Sequence, residues 1–135
     1  MLKSVSMGLV QALRARFSET TQDYERWLAA AKMGDYAVAL KHFRPLAEQG
    51  NPRAQNDLAI MYHKGLGVPQ DYVEAAKWFR KAAEQGVTVA QYELGTMYQS
   101  GQGVPQDHAK AAIWYRRAAA NKHAPAQNSL GHMYY

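Results

Sequence analysis

A block of 36 residues occurs twice in succession. Aligned without a gap, residues 51–86 and 87–122 are identical at 17 positions, where average residue usage gives about two by chance. Gln55, Leu58, Met61 and Tyr62 return as Gln91, Leu94, Met97 and Tyr98, and again as Gln127, Leu130, Met133 and Tyr134. Between the first two copies Gly65-x-Gly67-Val68-Pro69-Gln70-Asp71 comes back whole as Gly101-x-Gly103-Val104-Pro105-Gln106-Asp107. Looking backwards, Asp35-Tyr36 through Gln49-Gly50 lies 36 residues before Asp71-Tyr72 through Gln85-Gly86. A fixed period of this length confines the chain to stacked architectures, because one unit cannot bury its own apolar face and must lean on the next.

Each period reads as two helices, so the fold class is all-α. The first, helix A, is expected from about Pro52 to Lys64: Asn51 can cap the free amides, and Pro52 suits a first turn where its missing N–H has no partner to lose. Ala54, Leu58, Met61, Tyr62 and Gly65 fall in one arc of roughly 100°, the width of a buried stripe. Position 59, occupied by Ala59, Gly95 and Gly131, flanks that arc and stays small, as a close approach of two helix backbones requires. Gly65 stops the helix by taking a left-handed conformation. Val68-Pro69 cannot continue it, and Asp71 with Glu74 three residues on reads as a capping box for helix B, about Asp71 to Gln85. Helix B buries Ala75, Trp78, Phe79 and Ala82, with Gly86 as terminator. Earlier, a helix from Asp23 to Met33 turns Tyr24, Trp27, Leu28 and Ala31 inward, and in the helix that follows it Pro45 removes one hydrogen bond and is expected to cause a kink near Lys41.

The pattern A-x-x-L-G-x-M-Y-x-x-G-x-G-V-P-Q-D-x-x-x-A-x-x-W-x-x-x-A-A resembles the Sel-1-like repeat family, relatives of the tetratricopeptide repeat, in its bacterial wording. That resemblance implies an α-α superhelix, a right-handed solenoid of antiparallel hairpins, working as an adaptor between proteins without catalysis of its own. One domain is then expected over 1–135, with an N-terminal packing helix in 1–18 and a divergent hairpin in 19–50. Full repeats follow at 51–86 and 87–122, and helix A alone of a third unit in 123–135.

Other chemistries are poorly served. With no cysteine there is no disulfide, no thiolate zinc site, no iron–sulfur cluster and no thiol nucleophile. The five histidines, His42, His63, His108, His123 and His132, include no pair three or four apart on a helix, so no metal site is expected. The G-x-G of the loops follows a helix and recurs as a turn, which fits neither a nucleophile elbow nor a dinucleotide fingerprint. Asp35, Asp71 and Asp107 are repeated caps, and Trp78 and Trp114 recur at an inward position, so all five read as architecture. No cofactor and no catalytic residue are expected. The net charge of +5 divides along the chain without a run of five like charges, reading as a thinly spread solubility surface. RNA binding by the helical repeat is the alternative function, which a pI near 9.5 keeps open.

No stretch reaches the ~18 apolar residues of a membrane span. Ser4 to Leu13 makes a poor signal-peptide core, which favours the cytoplasm over the periplasm.

A partner surface follows from what the core leaves over. On helix A the positions opposite the buried arc are 53, 56, 57, 60, 63 and 64, and three of them form ladders across the units: Asn56, Tyr92, Asn128; Ile60, Thr96, His132; and His63, Gln99, Tyr135. The resemblance makes helix A the lining of the concave face, and these ladders the groove for a protein or peptide partner. An inhibitor or immunity protein that plugs another protein is one such use. Truncating Tyr92 and Ile60 to Ala should weaken binding without changing the melting temperature. After helix A of the third unit no helix B covers Leu130, Met133 and Tyr134, so this stacking face is expected to pack on another chain, a partner or a symmetric copy.

Overall fold

Helix ends fall where the capping residues place them. The computed structural model describes residues 25, 26 and 28–134, and every regular element among them is an α-helix. The described residues fall into two units, divided between Ala39 and Leu40. In the first, the described residues are helical up to residue 32 and turn at Gly34, whose φ is 90°. The packing helix expected in 1–18 lies outside the described residues, as do Tyr24 and Trp27. Helix α1, Tyr36–Glu48, crosses the boundary between the units and runs unbroken through Pro45.

In the second unit the hairpins follow one another. Helices α2 (Pro52–Lys64) and α3 (Tyr72–Glu84) form one, α4 (Thr88–Ser100) and α5 (His108–Ala120) the next, and α6 (Ala124–Tyr134) opens a third. Each packs on its successor, giving an all-α solenoid. Asn51 Oδ1 accepts the Ala54 amide at 3.0 Å, Pro52 opens α2, and Gly65 ends it at φ 71°, ψ 45°. Asp71 Oδ1 accepts the Val73 and Glu74 amides, while its own amide goes to the Tyr62 carbonyl at 2.9 Å. The expected capping box is therefore half a box, since Glu74 has no amide left to reach back to. What it gives up closes the hairpin instead: Asp107 N–H repeats the bond to Tyr98 O, and the Gln70 and Gln106 side chains donate to His63 O and Gln99 O.

The core repeats as the arc requires. Phe43, Phe79 and Tyr115, spaced by 36, are almost wholly buried, and so are Leu58, Leu94, Ala75 and Ala111. Trp78 and Trp114 are buried as core residues. At Gly95 the small residue meets the backbone of the facing helix, as expected, and an aromatic ring as well. A Cβ on Gly95 would lie 2.8 Å from the Tyr115 ring and 3.3 Å from the Ala111 carbonyl, so the space serves both.

Between units the fold uses a repeated hook. Gln55 Nε2 donates to Ala47 O at 3.1 Å, Gln91 Nε2 to Ala83 O at 3.1 Å, and Gln127 Nε2 to Ala119 O at 3.3 Å. Each glutamine thus ties helix A to the end of the preceding helix B, adding a second bond to a carbonyl that already accepts a turn amide, Gly50 N–H at Ala47 O, Gly86 N–H at Ala83 O and Lys122 N–H at Ala119 O. In the first junction Gln85 completes the arrangement, donating to Gln55 Oε1 at 2.8 Å and to Gly50 O at 3.0 Å. The second junction lacks this. Asn121 stands in the place of Gln85 with nearly the same backbone angles, one methylene shorter, and its amide turns to Arg117 O. Gln91 Oε1 is left shielded, with no donor among the described residues. Satisfying a buried acceptor is worth about 0.5–1.5 kcal/mol, so Asn121→Gln should stabilise by about that amount in urea titration. Gln85→Asn should cost a similar amount, and equal stabilities for Asn121→Gln and the parent would show that the reach is not what matters.

Candidate partner-binding face

The helix A positions that stay out of the core lie on three successive A helices. Asn56, Ile60 and His63 come from α2, Tyr92, Thr96 and Gln99 from α4, and Asn128 and His132 from α6. They are less free than a helical wheel implies. Gln99, Asn128 and His132 are exposed, whereas Asn56, Ile60, His63, Tyr92 and Thr96 are half-buried. Leu130 and Met133 are also half-buried, and Tyr134 ends α6.

The reason is that helix B supplies a floor. His63 sits against the rings of Tyr72 and Phe79, with centroids 5.3 and 6.2 Å away. In the next hairpin the Tyr92 ring lies 5.6 Å from Tyr115 and 5.1 Å from His123, at the start of the third unit. Tyr92 therefore bridges two units. Truncating it removes packing as well as surface, so the expectation of a binding variant with unchanged melting temperature does not hold for this residue.

Chemically the floor changes from one hairpin to the next. Under His63 it is Phe79, which offers no polar atom. Under Thr96 and Gln99 it is Tyr115, whose hydroxyl donates to Gln99 Oε1 at 2.8 Å and lies 3.1 Å from Thr96 Oγ1. Thr96 passes its own proton to the Tyr92 carbonyl at 3.1 Å. Burial pushes the Tyr115 hydroxyl above its ordinary pKa, so it remains a donor across the physiological range. The face thus runs from an apolar aromatic patch on α2, through a hydroxyl and amide cluster on α4, to the exposed polar side chains of α6.

Sequence reasoning missed two contributors. Tyr115 aligns with Phe79 and was not singled out, although its hydroxyl marks the difference between the hairpins. Asp57 falls on the wheel's free side, yet it is half-buried and its carboxyl is raised by burial from 3.8 to about 6. Among the described residues no three His, Cys, Asp or Glu side chains are placed to hold a metal ion.

Comparison with known proteins agrees with this architecture. The sequence matches the Sel1 repeat over residues 30–51, 52–87 and 88–123. The chain belongs to the Sel1 repeat family. No curated protein gives a match. Among solved structures, a Sel1 repeat protein from Oxalobacter formigenes is 38% identical with a TM-score of 0.76, over 80% of this chain and 44% of that one. The protein c5321, a protective antigen of uropathogenic Escherichia coli strains displaying an SLR fold, is 38% identical with a TM-score of 0.81, over 89% of this chain and 27% of its own. Helicobacter pylori cysteine rich protein B shares the fold at 16% identity, with a TM-score of 0.67 over 83% of this chain and 95% of that one. This chain spans less than half the length of the first two. Sel1 repeats are protein–protein interaction modules and are typically non-catalytic scaffolds. No helix among the described residues is long and apolar enough to cross a membrane.

Proposed function

We propose that this Sel1 repeat chain is a non-enzymatic adaptor that grips a protein or peptide along the helix A face of α2, α4 and α6. The observation that carries the reading is the contrast between a core that repeats and a face that does not: Leu58 and Leu94 are interchangeable, while Ile60, Thr96 and His132 differ in every property that a partner can feel. Such a graded surface selects a partner with an apolar group opposite Ile60 and hydrogen-bonding groups opposite Thr96 and Gln99, since unmatched polar groups are penalised when an interface dries. Plugging another protein's functional site, as an inhibitor or immunity protein does, is one use of it.

RNA is the less favoured occupant of this face. Helices α2, α4 and α6 carry Arg53 and Lys64 against Asp57 and Glu93, a neutral balance where phosphate tracking needs an excess of cations. The Tyr92 ring is packed between two others, which leaves it a poor platform for a base.

The test uses the two exposed positions. Asn128→Arg together with His132→Glu should weaken capture of native-cell proteins by the immobilised chain at least tenfold, with the melting temperature within about 2 °C of the parent, because surface changes away from packing cost about 0.5 kcal/mol or less. An unchanged set of captured proteins at unchanged yield would remove the helix A face as the binding site.

A further inference from the structure

The cations are distributed by face, although they look even when counted along the chain. Helices α3 and α5 carry Lys77, Arg80, Lys81, Lys110, Arg116 and Arg117 against Glu74 and Glu84. All six cations are exposed. The helix A elements are neutral, so the positive balance of the hairpins lies on the two B helices. A count along the sequence averages A and B helices together, which hides this.

The side chains are held in place. Lys81 and Lys77 lie over the Trp78 ring at 4.7 and 5.7 Å, Arg117 over the Trp114 ring at 4.6 Å, and Lys110 over the Tyr98 ring at 5.5 Å. Glu84 pairs with Arg80 at 3.3 Å, and Glu74 is half-buried near the start of α3. Within this basic surface sits a cleft of about 190 Å³, between α3, α4 and the loop that follows α4. Val73, Ala76, Leu94 and Val104 give it apolar walls, and Lys77 and Arg80 contribute to the lining. Val73 is 65% exposed, and Ile113, one hairpin on, is 45% exposed.

We propose that the outer face of α3 and α5 is a second docking surface, which takes an acidic polypeptide segment and seats one aliphatic side chain of it in the Val73–Val104 cleft. Charge complementarity chooses the sign of the partner and raises its rate of encounter. The aliphatic cleft chooses a peptide over a nucleic acid, since a sugar-phosphate chain has nothing to place there. Base stacking is also unavailable: Trp78 and Trp114, 5% and 8% exposed, already have cations over their rings. Ordered cations lose little freedom when an acidic partner arrives, which favours binding. The surface lies on the opposite elements from the helix A face, so one chain can hold two partners at once.

Panning a random library of displayed twelve-residue peptides against the full chain tests this, followed by fluorescence anisotropy with the recovered peptides. The expected peptides carry Asp or Glu on both sides of a Leu, Ile, Val or Met. Lys77→Glu with Arg117→Glu should weaken them at least tenfold, Val73→Asp should do the same, and Asn128→Arg with His132→Glu should leave them within twofold. Thermal melts confirm that these exposed substitutions leave the fold intact. Recovery of peptides without acidic bias would overturn the proposal, as would affinities that ignore the charge reversal. A twelve-residue oligouridine that binds more tightly than every peptide would assign the face to nucleic acid instead.

Discussion

Gly103→Ala should lower stability by about 2–5 kcal/mol, the largest effect of a methyl group added at any of the described glycines. Two costs combine. Gly103 has φ 71°, where a residue with a Cβ loses about 1–2 kcal/mol. The new Cβ would also lie 2.1 Å from the Tyr72 carbonyl oxygen and 2.4 Å from its carbon. Those atoms are backbone, in the first turn of α3, where the carbonyl serves a helical bond and cannot swing aside. The loop after α4 would have to lift off the preceding hairpin, and packing distortions of that kind cost about 1–3 kcal/mol more. Gly101 is the control. Its φ is 72°, yet its Cβ would meet only the Gln106 side chain and amide, at 3.2 and 3.4 Å, so Gly101→Ala should cost about 1–2 kcal/mol. Calorimetry should place Gly103→Ala roughly 10 °C below the parent. Equal melting temperatures for the two variants would refute the close approach.

Asp57 should give the second largest effect, read through pH. Its carboxyl is raised to about 6 by burial in the folded chain, against 3.8 when unfolded. Below pH 3.8 the group is protonated in both states and carries no penalty. Between 3.8 and about 6 the folded state binds the extra proton, so stability falls as pH rises, and above about 6 the loss is complete and constant. A shift of this size corresponds to about 3 kcal/mol as a ceiling. Asp57→Asn removes the ionisation. Relative to the parent, it should gain about 2–3 kcal/mol of stability between pH 3.5 and pH 7, measured by urea unfolding at both values. A stability difference between the two proteins that does not move with pH would show that the carboxyl is well solvated.

These two residues also mark what the sequence made legible. Helix α2 was expected at about Pro52 to Lys64 and is found at Pro52–Lys64, because Asn51, Pro52 and Gly65 act within a turn of their own positions. The G-V-P-Q-D loop was likewise readable as a helix stop and cap. What the second glycine was for was not readable, since its reason, the Tyr72 backbone, lies about 30 residues earlier in the chain and only stacking brings it near. Asp57 failed the same way: a wheel separates faces within one helix but knows nothing of what the neighbouring elements cover. On the candidate face, the ladder positions were found by their variation against a constant core, whereas the half-buried state of His63, Tyr92 and Thr96 comes from Phe79 and Tyr115 on the facing helices. The cationic face was missed because charges were summed along a chain that alternates its sides.

The glutamine hook bears on how an array of this kind can change its length. Its acceptors are the main-chain oxygens of residues 47, 83 and 119, an address that every polypeptide displays whatever side chain it carries. A newly copied hairpin therefore arrives with its own fastener and finds the matching eye already present on any predecessor. Growth by gene duplication then demands no compensating change at the seam, and the groove-facing positions are left at liberty to diverge.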